Sequence, residues 1–134
     1  ISPAAKKALI LGTGGAGKAV AYVLEKLGIT YQFVSRKASK SIYGYSELVD
    51  SIIAENFVII NTTPLGMYPA VNEAPPINYN ALTNNHFLFD LIYNPKKTMF
   101  LEQGEKKGAA IKNGYEMLLL QAEESWKIWS DPLL

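Results

Sequence analysis

Gly12, Gly14 and Gly17 fall in the run Gly12-Thr13-Gly14-Gly15-Ala16-Gly17, spaced Gly-x-Gly-x-x-Gly. Between a strand and a helix, such a run cradles a pyrophosphate. The first glycine permits the tight turn, the second lets the backbone approach the phosphates, and the third lets helix and strand pack closely. The helix that follows turns its free amides and positive dipole end toward the anion. The alternative is a glycine-rich turn that holds no ligand. Context favours the dinucleotide site, because the run sits behind the short apolar segment Lys7-Ala8-Leu9-Ile10-Leu11 and ahead of an amphipathic stretch.

Ser35-Arg36-Lys37-Ala38-Ser39-Lys40 follows the second apolar run. A domain that prefers NAD places Asp or Glu there, about 20 residues past the glycines, to hold the ribose hydroxyls. Three cations and no carboxylate fit a 2′-phosphate instead, so NADP is the expected cofactor. Arg36 is the best candidate, since a guanidinium bonds phosphate bidentately and stacks on adenine. The alternative is an ordinary solvated basic loop.

Elsewhere the chemistry is sparse. There is no cysteine, which excludes disulfides, thiolate metal sites and a cysteine nucleophile; no metal site is expected. The single histidine, His86, precedes an apolar run and reads as structural. Thirteen Lys/Arg against twelve Asp/Glu argue against nucleic acid or an anionic membrane as partner. No apolar stretch approaches the ~18 residues of a membrane helix. The terminus Ile1-Ser2-Pro3-Ala4-Ala5 reads as a truncation boundary rather than a targeting segment, and a cytoplasmic location is the simplest expectation.

These residues need elements to hold them, and the pattern alternates apolar strands with amphipathic helices. It predicts an α/β fold of Rossmann type, doubly wound, with a mostly parallel sheet and helices on both faces. Residues 1–134 form one domain. Strands are expected at Lys7–Leu11, Tyr31–Val34, Phe57–Ile60, Phe87–Ile92 and Ala109–Ile111. Helices are expected at Lys18–Leu27 with Gly28 as the stop, at Glu47–Ile53 capped by Ser46, from Thr98 to Lys107 ending at Gly108, and from Gly114 to Trp129. Tyr68–Asn85 reads as a long loop with a helical turn near Tyr79–Leu82.

Five ordered segments then resemble the shikimate dehydrogenase family. They are Gly12–Ala16; Ser35-Arg36-Lys37-x-x-Lys40; Asn61-Thr62-Thr63-Pro64-Leu65-Gly66-Met67; Asp90-Leu91-Ile92-Tyr93-Asn94-Pro95-x-x-Thr98-x-x-Leu101; and Asn113-Gly114-x-x-Met117-Leu118-x-x-Gln121-Ala122. Ser35 and Lys37 depart from the family's usual Asn and Thr. The resemblance implies an NADP-binding domain of an enzyme that reversibly reduces 3-dehydroshikimate to shikimate, for chorismate and aromatic amino acid biosynthesis. It implies that Gly12, Thr13, Gly14, Gly15, Ala16 and Gly17 hold the pyrophosphate, and that Ser35, Arg36, Lys37 and Lys40 hold the 2′-phosphate. Thr62 joins the cofactor site, and Leu91 and Gly114 line its nicotinamide end. Tyr93 and Gln121 face the substrate; without the resemblance they read as a turn tyrosine and a solvated helix position.

The family's catalytic Lys and Asp belong to an N-terminal substrate domain whose motifs do not occur here. No catalytic residue is therefore expected in this chain, and the fragment alone is expected to be inactive. Two alternatives stay open: a relative acting on quinate or another hydroxy acid, and a non-catalytic module that senses NADP.

Overall fold

The computed structural model of the protein describes residues 7–114. Six parallel strands form one sheet: β1 Lys7–Leu11, β2 Thr30–Ser35, β3 Ile42–Gly44, β4 Val58–Asn61, β5 Phe87–Asp90 and β6 Ala110–Asn113. Their spatial order is β3-β2-β1-β4-β5-β6, so the chain winds outward from β1 in one direction and from β4 in the other. That is the doubly wound Rossmann arrangement, whose order reverses between β1 and β4 and opens a crevice there.

Strand alternation sorts the core onto two faces. Ala8, Ile10 and Ile60 meet Val20, Ala21 and Leu24 of helix α1 Gly15–Lys26. Leu9, Leu11, Ile59 and Leu88 meet Ile53 of helix α2 Asp50–Glu55 and Phe100 and Leu101 of helix α3 Met99–Lys106. Central β1 is buried on both sides from Ala8 to Leu11, which explains a continuous apolar run in place of alternation.

Helix ends follow local chemistry. Gly28, at φ +73°, lies just past the end of α1. The amide of Gly28 donates to Glu25 and that of Ile29 to Leu24, the paired bonds of a Schellman stop. Gly108, at φ +87°, repeats the motif after α3, with Gly108 donating to Glu105 and Ala109 to Gly104.

Several expected boundaries shift. Strand β3 lies between the expected second strand and the helix capped by Ser46, where no element is expected. Helix α2 starts at Asp50, behind Val49 rather than Ser46. The Glu47 carboxylate instead accepts from the Gly44 amide at 2.7 Å, closing a 3-10 turn over Tyr45–Glu47. Strand β5 stops at Asp90, whose carboxylate captures the Ile92 amide at 3.0 Å and takes it from the ladder. Helix α1 gains a turn, beginning at Gly15. The final helix expected from Gly114 to Trp129 lies outside the described residues beyond Gly114.

Candidate nucleotide-binding groove

Strand register assembles the site. Leu11 pairs with Val34 and Asn61, Asn61 with Asp90, and Asp90 with Asn113, while Ser35 pairs with Gly44. At the carboxyl edge the row therefore runs Gly44 and Ser35, the last residues of β3 and β2, then Gly12, Thr62, Leu91 and Gly114, each one step past its strand. Backbone bonds continue it past the strands: Gly12 donates to Val34 at 2.8 Å, Thr62 to Leu11 at 2.9 Å and Leu91 to Asn61 at 3.2 Å. Residues from six sequence segments thus reach one edge, the edge where open α/β sheets bind ligands.

The glycines divide the work as their spacing predicts. Gly12 has φ +112°, and a Cβ on it would lie 2.5 Å from Thr62 Oγ1. That hydroxyl is fixed by its own 2.7 Å bond to the Leu11 carbonyl. A Cβ on Gly17 would lie 2.5 Å from the Gly12 carbonyl oxygen, so this glycine lets α1 pack on the turn. At Gly14 and Gly15 a Cβ would meet nothing within 4 Å. Internal packing does not demand glycine there, and an incoming group can approach the bare backbone. No side chain caps α1 and no acid lies in its first turn, which leaves its first amides and dipole end open to an anion.

Two grooves flank this loop. The larger, about 840 Å³, is lined by Gly12, Thr13, Gly14, Ser35 and Arg36 on one side and by Thr62–Leu65, Asn72–Ala74 and Pro76 on the other, with Tyr45 at its end. It holds one cation, Arg36, and one carboxylate, Glu73. Between Ala74 and Pro76 of this wall, the Pro75 carbonyl accepts a 2.8 Å hydrogen bond from the Tyr79 hydroxyl. The second, about 540 Å³, is bounded by Ala16, Met67, Tyr68, Leu91, Tyr93 and Asn94 and shares the Thr62–Pro64 wall. The pair forms one path across the glycine loop.

The described site residues fall in different places. Gly12, Thr13, Gly14, Ser35 and Arg36 line the first groove, Ala16, Leu91 and Tyr93 the second, and Thr62 both. Lys37 and Lys40 are exposed on the loop beyond Arg36 and line neither groove. Gly114 is buried, and its Cβ would lie 2.0 Å from the Leu91 carbonyl oxygen. Gln121 lies outside the described residues. Tyr45 and Glu73 escape sequence reasoning; Tyr45 could have been found only by recognising the three-residue strand before it.

A buried polar network stiffens the wall between the grooves. Asn61 Nδ2 donates to Asp90 Oδ1 at 3.2 Å, while Asn61 Oδ1 accepts from the Thr63 amide at 3.0 Å and hydroxyl at 2.6 Å. Burial pushes the Asp90 pKa above its ordinary value, opposed by hydrogen bonds from Thr98, Ile92 and Asn61. His86 stands at the opposite, amino edge of β5. Its Nδ1 accepts from the Thr83 amide at 3.1 Å, so the neutral ring carries its proton on Nε2 and donates to the Ile53 carbonyl at 2.8 Å. Among the described residues no helix is long and apolar enough to cross a membrane.

No protein-family model matches the chain. Individual relatives do. The shikimate dehydrogenase (NADP(+)) of Caldicellulosiruptor saccharolyticus is 38% identical over 98% of this chain and 52% of its own length. That of Methanococcus aeolicus is 38% identical over 91% of this chain and 49% of its own. The chain spans about half the length of the curated relatives it matches. Among solved structures, Listeria monocytogenes shikimate 5-dehydrogenase, in complex with shikimate and NAD, superposes with a TM-score of 0.85 at 26% identity. It is matched over 94% of this chain and 51% of its own. The Thermus thermophilus enzyme, in complex with NADP(H) and shikimate, gives 0.77 at 25% identity, over 92% of this chain and 48% of its own. The 5-ketofructose reductase of Gluconobacter sp. strain CHM43 gives 0.83 at 30% identity, over 97% and 52%.

Proposed function

Since the chain is homologous to shikimate dehydrogenases over nearly all its own length and about half of theirs, we propose that it is the NADP-binding domain of such an enzyme. The parent protein reversibly reduces 3-dehydroshikimate to shikimate, and this chain contributes the cofactor site. The observation that carries the reading is the open backbone at Gly14 and Gly15, set between two grooves at the sheet's switch point.

The residues fit the cofactor. Gly12–Gly17 and the first amides of α1 hold the pyrophosphate, and Ser35 and Arg36 take the adenosine 2′-phosphate, with Lys37 and Lys40 adding long-range attraction. Thr62 fixes the Gly12 turn and lies against the path of the cofactor. Leu91 lines the second groove, where the nicotinamide belongs, with Gly114 buried against its carbonyl, and Tyr93 faces the substrate there; the resemblance gives Gln121 a substrate role as well. When bound, NADP supplies the hydride chemistry, and the protein orients it. The substrate's proton is assigned to a separate catalytic domain, because the family's catalytic Lys and Asp belong to motifs that do not occur in this sequence. This chain alone is therefore inactive and works with that domain and with shikimate or 3-dehydroshikimate.

A second reading keeps the cofactor site and changes the substrate: a reductase of another polyhydroxy ketone. The likeness to 5-ketofructose reductase favours it.

Calorimetric titration of the chain with NADP and with NAD tests the assignment. NADP is expected to bind at least about ten-fold tighter, a difference of about 1.4 kcal/mol. Equal affinities would overturn the 2′-phosphate reading, and the absence of binding by either would overturn the site.

A further inference from the structure

Ser35 pairs with Gly44 across β2 and β3, so the next residues, Arg36 and Tyr45, leave the sheet side by side at its carboxyl edge. Both line the larger groove. Arg36 is exposed and its guanidinium sits on a long, flexible stem. Tyr45 is half-buried, with its ring packed against the main core. The backbone beneath that ring is tied down, since Gly44 donates to Glu47 at 2.7 Å and Leu48 donates to the Tyr45 carbonyl at 3.2 Å. A ring fixed in this way loses little rotamer freedom when it engages a ligand.

Its hydroxyl makes no hydrogen bond to a described residue, and no buried side-chain oxygen or nitrogen among them lacks a partner. The hydroxyl therefore opens on the groove. Burial raises the phenol's pKa above its ordinary value of 10.0, with the nearby charge of Arg36 opposing. The group stays a neutral proton donor at physiological pH, within electrostatic reach of Arg36.

We propose that Tyr45 is a second reader of the 2′-phosphate, donating its hydroxyl hydrogen bond to the phosphoryl group that Arg36 neutralises. The inference rests on the reading of this groove as the NADP site. The two residues supply different things. Arg36 brings charge, which salt screens at an exposed position, and Tyr45 brings a donor at a fixed point, which salt does not screen.

Titration of the intact chain and of Tyr45→Phe with NADP, 2′,5′-ADP and NAD tests this. The variant is expected to lose about ten-fold in affinity for NADP and 2′,5′-ADP, the size expected for a hydrogen bond to a charged group. Its NAD affinity and its ligand-free melting temperature should match those of the wild type, because the hydroxyl has no partner within the described protein. Unchanged NADP affinity would overturn the proposal, as would equal losses for NAD and NADP, or a variant that melts earlier without ligand. A wild-type chain that does not distinguish NADP from NAD would overturn the site assignment itself, an outcome read before any variant is made.

Discussion

The Thr98 hydroxyl donates a 2.6 Å hydrogen bond to Asp90 Oδ2, and both residues are fully buried. The same oxygen of Thr98 accepts from the Leu101 amide at 3.3 Å and so caps α3. One side chain thus joins the carboxyl end of β5 to the start of the helix that leads to β6. Asp90 in turn holds Asn61 at the end of β4. The floor and wall of the second groove are fixed by this chain of contacts rather than by apolar packing.

Thr98→Val should destabilise the protein by about 3 kcal/mol. The isosteric change removes a helix cap, typically about 1 kcal/mol, and a hydrogen bond to a charged group, about 1.5–3 kcal/mol. Thr98→Ser keeps both bonds and should cost about 1 kcal/mol through the lost methyl. Urea melts of the two variants check this. Equal costs would show that the methyl, not the hydroxyl, matters.

Asp90 gives the protein a pH dependence of defined sign. Its folded pKa lies above the ordinary 3.8, with burial the largest cause. The folded state therefore binds its proton more tightly than the unfolded chain does. Stability from this group is fully present below the ordinary value and is lost as pH rises through the raised one. Asp90→Asn is neutral throughout, so the wild type should lose ground against it as pH climbs from about 4. A stability difference that stays flat across that range, or that moves in the wild type's favour, would contradict the assignment.

Arg36→Ala should remove most of the preference for NADP over NAD while leaving NAD affinity within about two-fold. The side chain is exposed, so stability should change by no more than about 0.5 kcal/mol. The wild-type preference should also shrink as salt is raised, because an exposed guanidinium is screened. A preference that survives the substitution would move the reading of the phosphate to Lys37 and Lys40.

How much of this was legible beforehand depends on the range of the signal. The glycine spacing is local, and it placed the turn between β1 and α1, although α1 begins at Gly15 and takes Gly17 into its first turn. The doubly wound order followed from the alternation of apolar and amphipathic segments. Strand β3 was not legible, because Ile42-Tyr43-Gly44 is too short to show a period and takes its identity from pairing with β2. Tyr45 went unseen for the same reason. The shifted start of α2 reflects competition between caps: Glu47 reaches back to Gly44, and Ser46 is left without the role its type suggests. The Asn61–Asp90–Thr98 network joins residues far apart in sequence, and only the β4–β5 register brings them together. The family resemblance named Thr62, Leu91 and Gly114 without giving a reason. In the structure all three stand in a single row beyond the strand ends.

The glycine loop allows folding and binding to be separated by single substitutions. At Gly12 an alanine would be strained by φ +112° and would drive its Cβ to 2.5 Å from the bound Thr62 hydroxyl. A cost of about 2–4 kcal/mol is expected from strain and overpacking together. At Gly17 the obstacle is backbone, the Gly12 carbonyl at 2.5 Å, so Gly17→Ala should be comparably destabilising. Gly14 differs. Its φ of −79° suits any residue, and its Cβ would meet nothing within 4 Å. Alanine there lowers the entropy of the unfolded chain, worth about 0.4–1 kcal/mol, while losing a similar amount as a poorer helix cap than glycine. The two offset, and Gly14→Ala should melt close to the wild type. The new methyl nevertheless fills the space where a pyrophosphate would approach the backbone, so affinity for both NADP and NAD should fall by at least about ten-fold. Thermal melts and titrations of the three variants decide between ligand and packing as the reason for the middle glycine. A Gly14→Ala chain that binds both nucleotides normally would show that the open backbone is not the phosphate cradle.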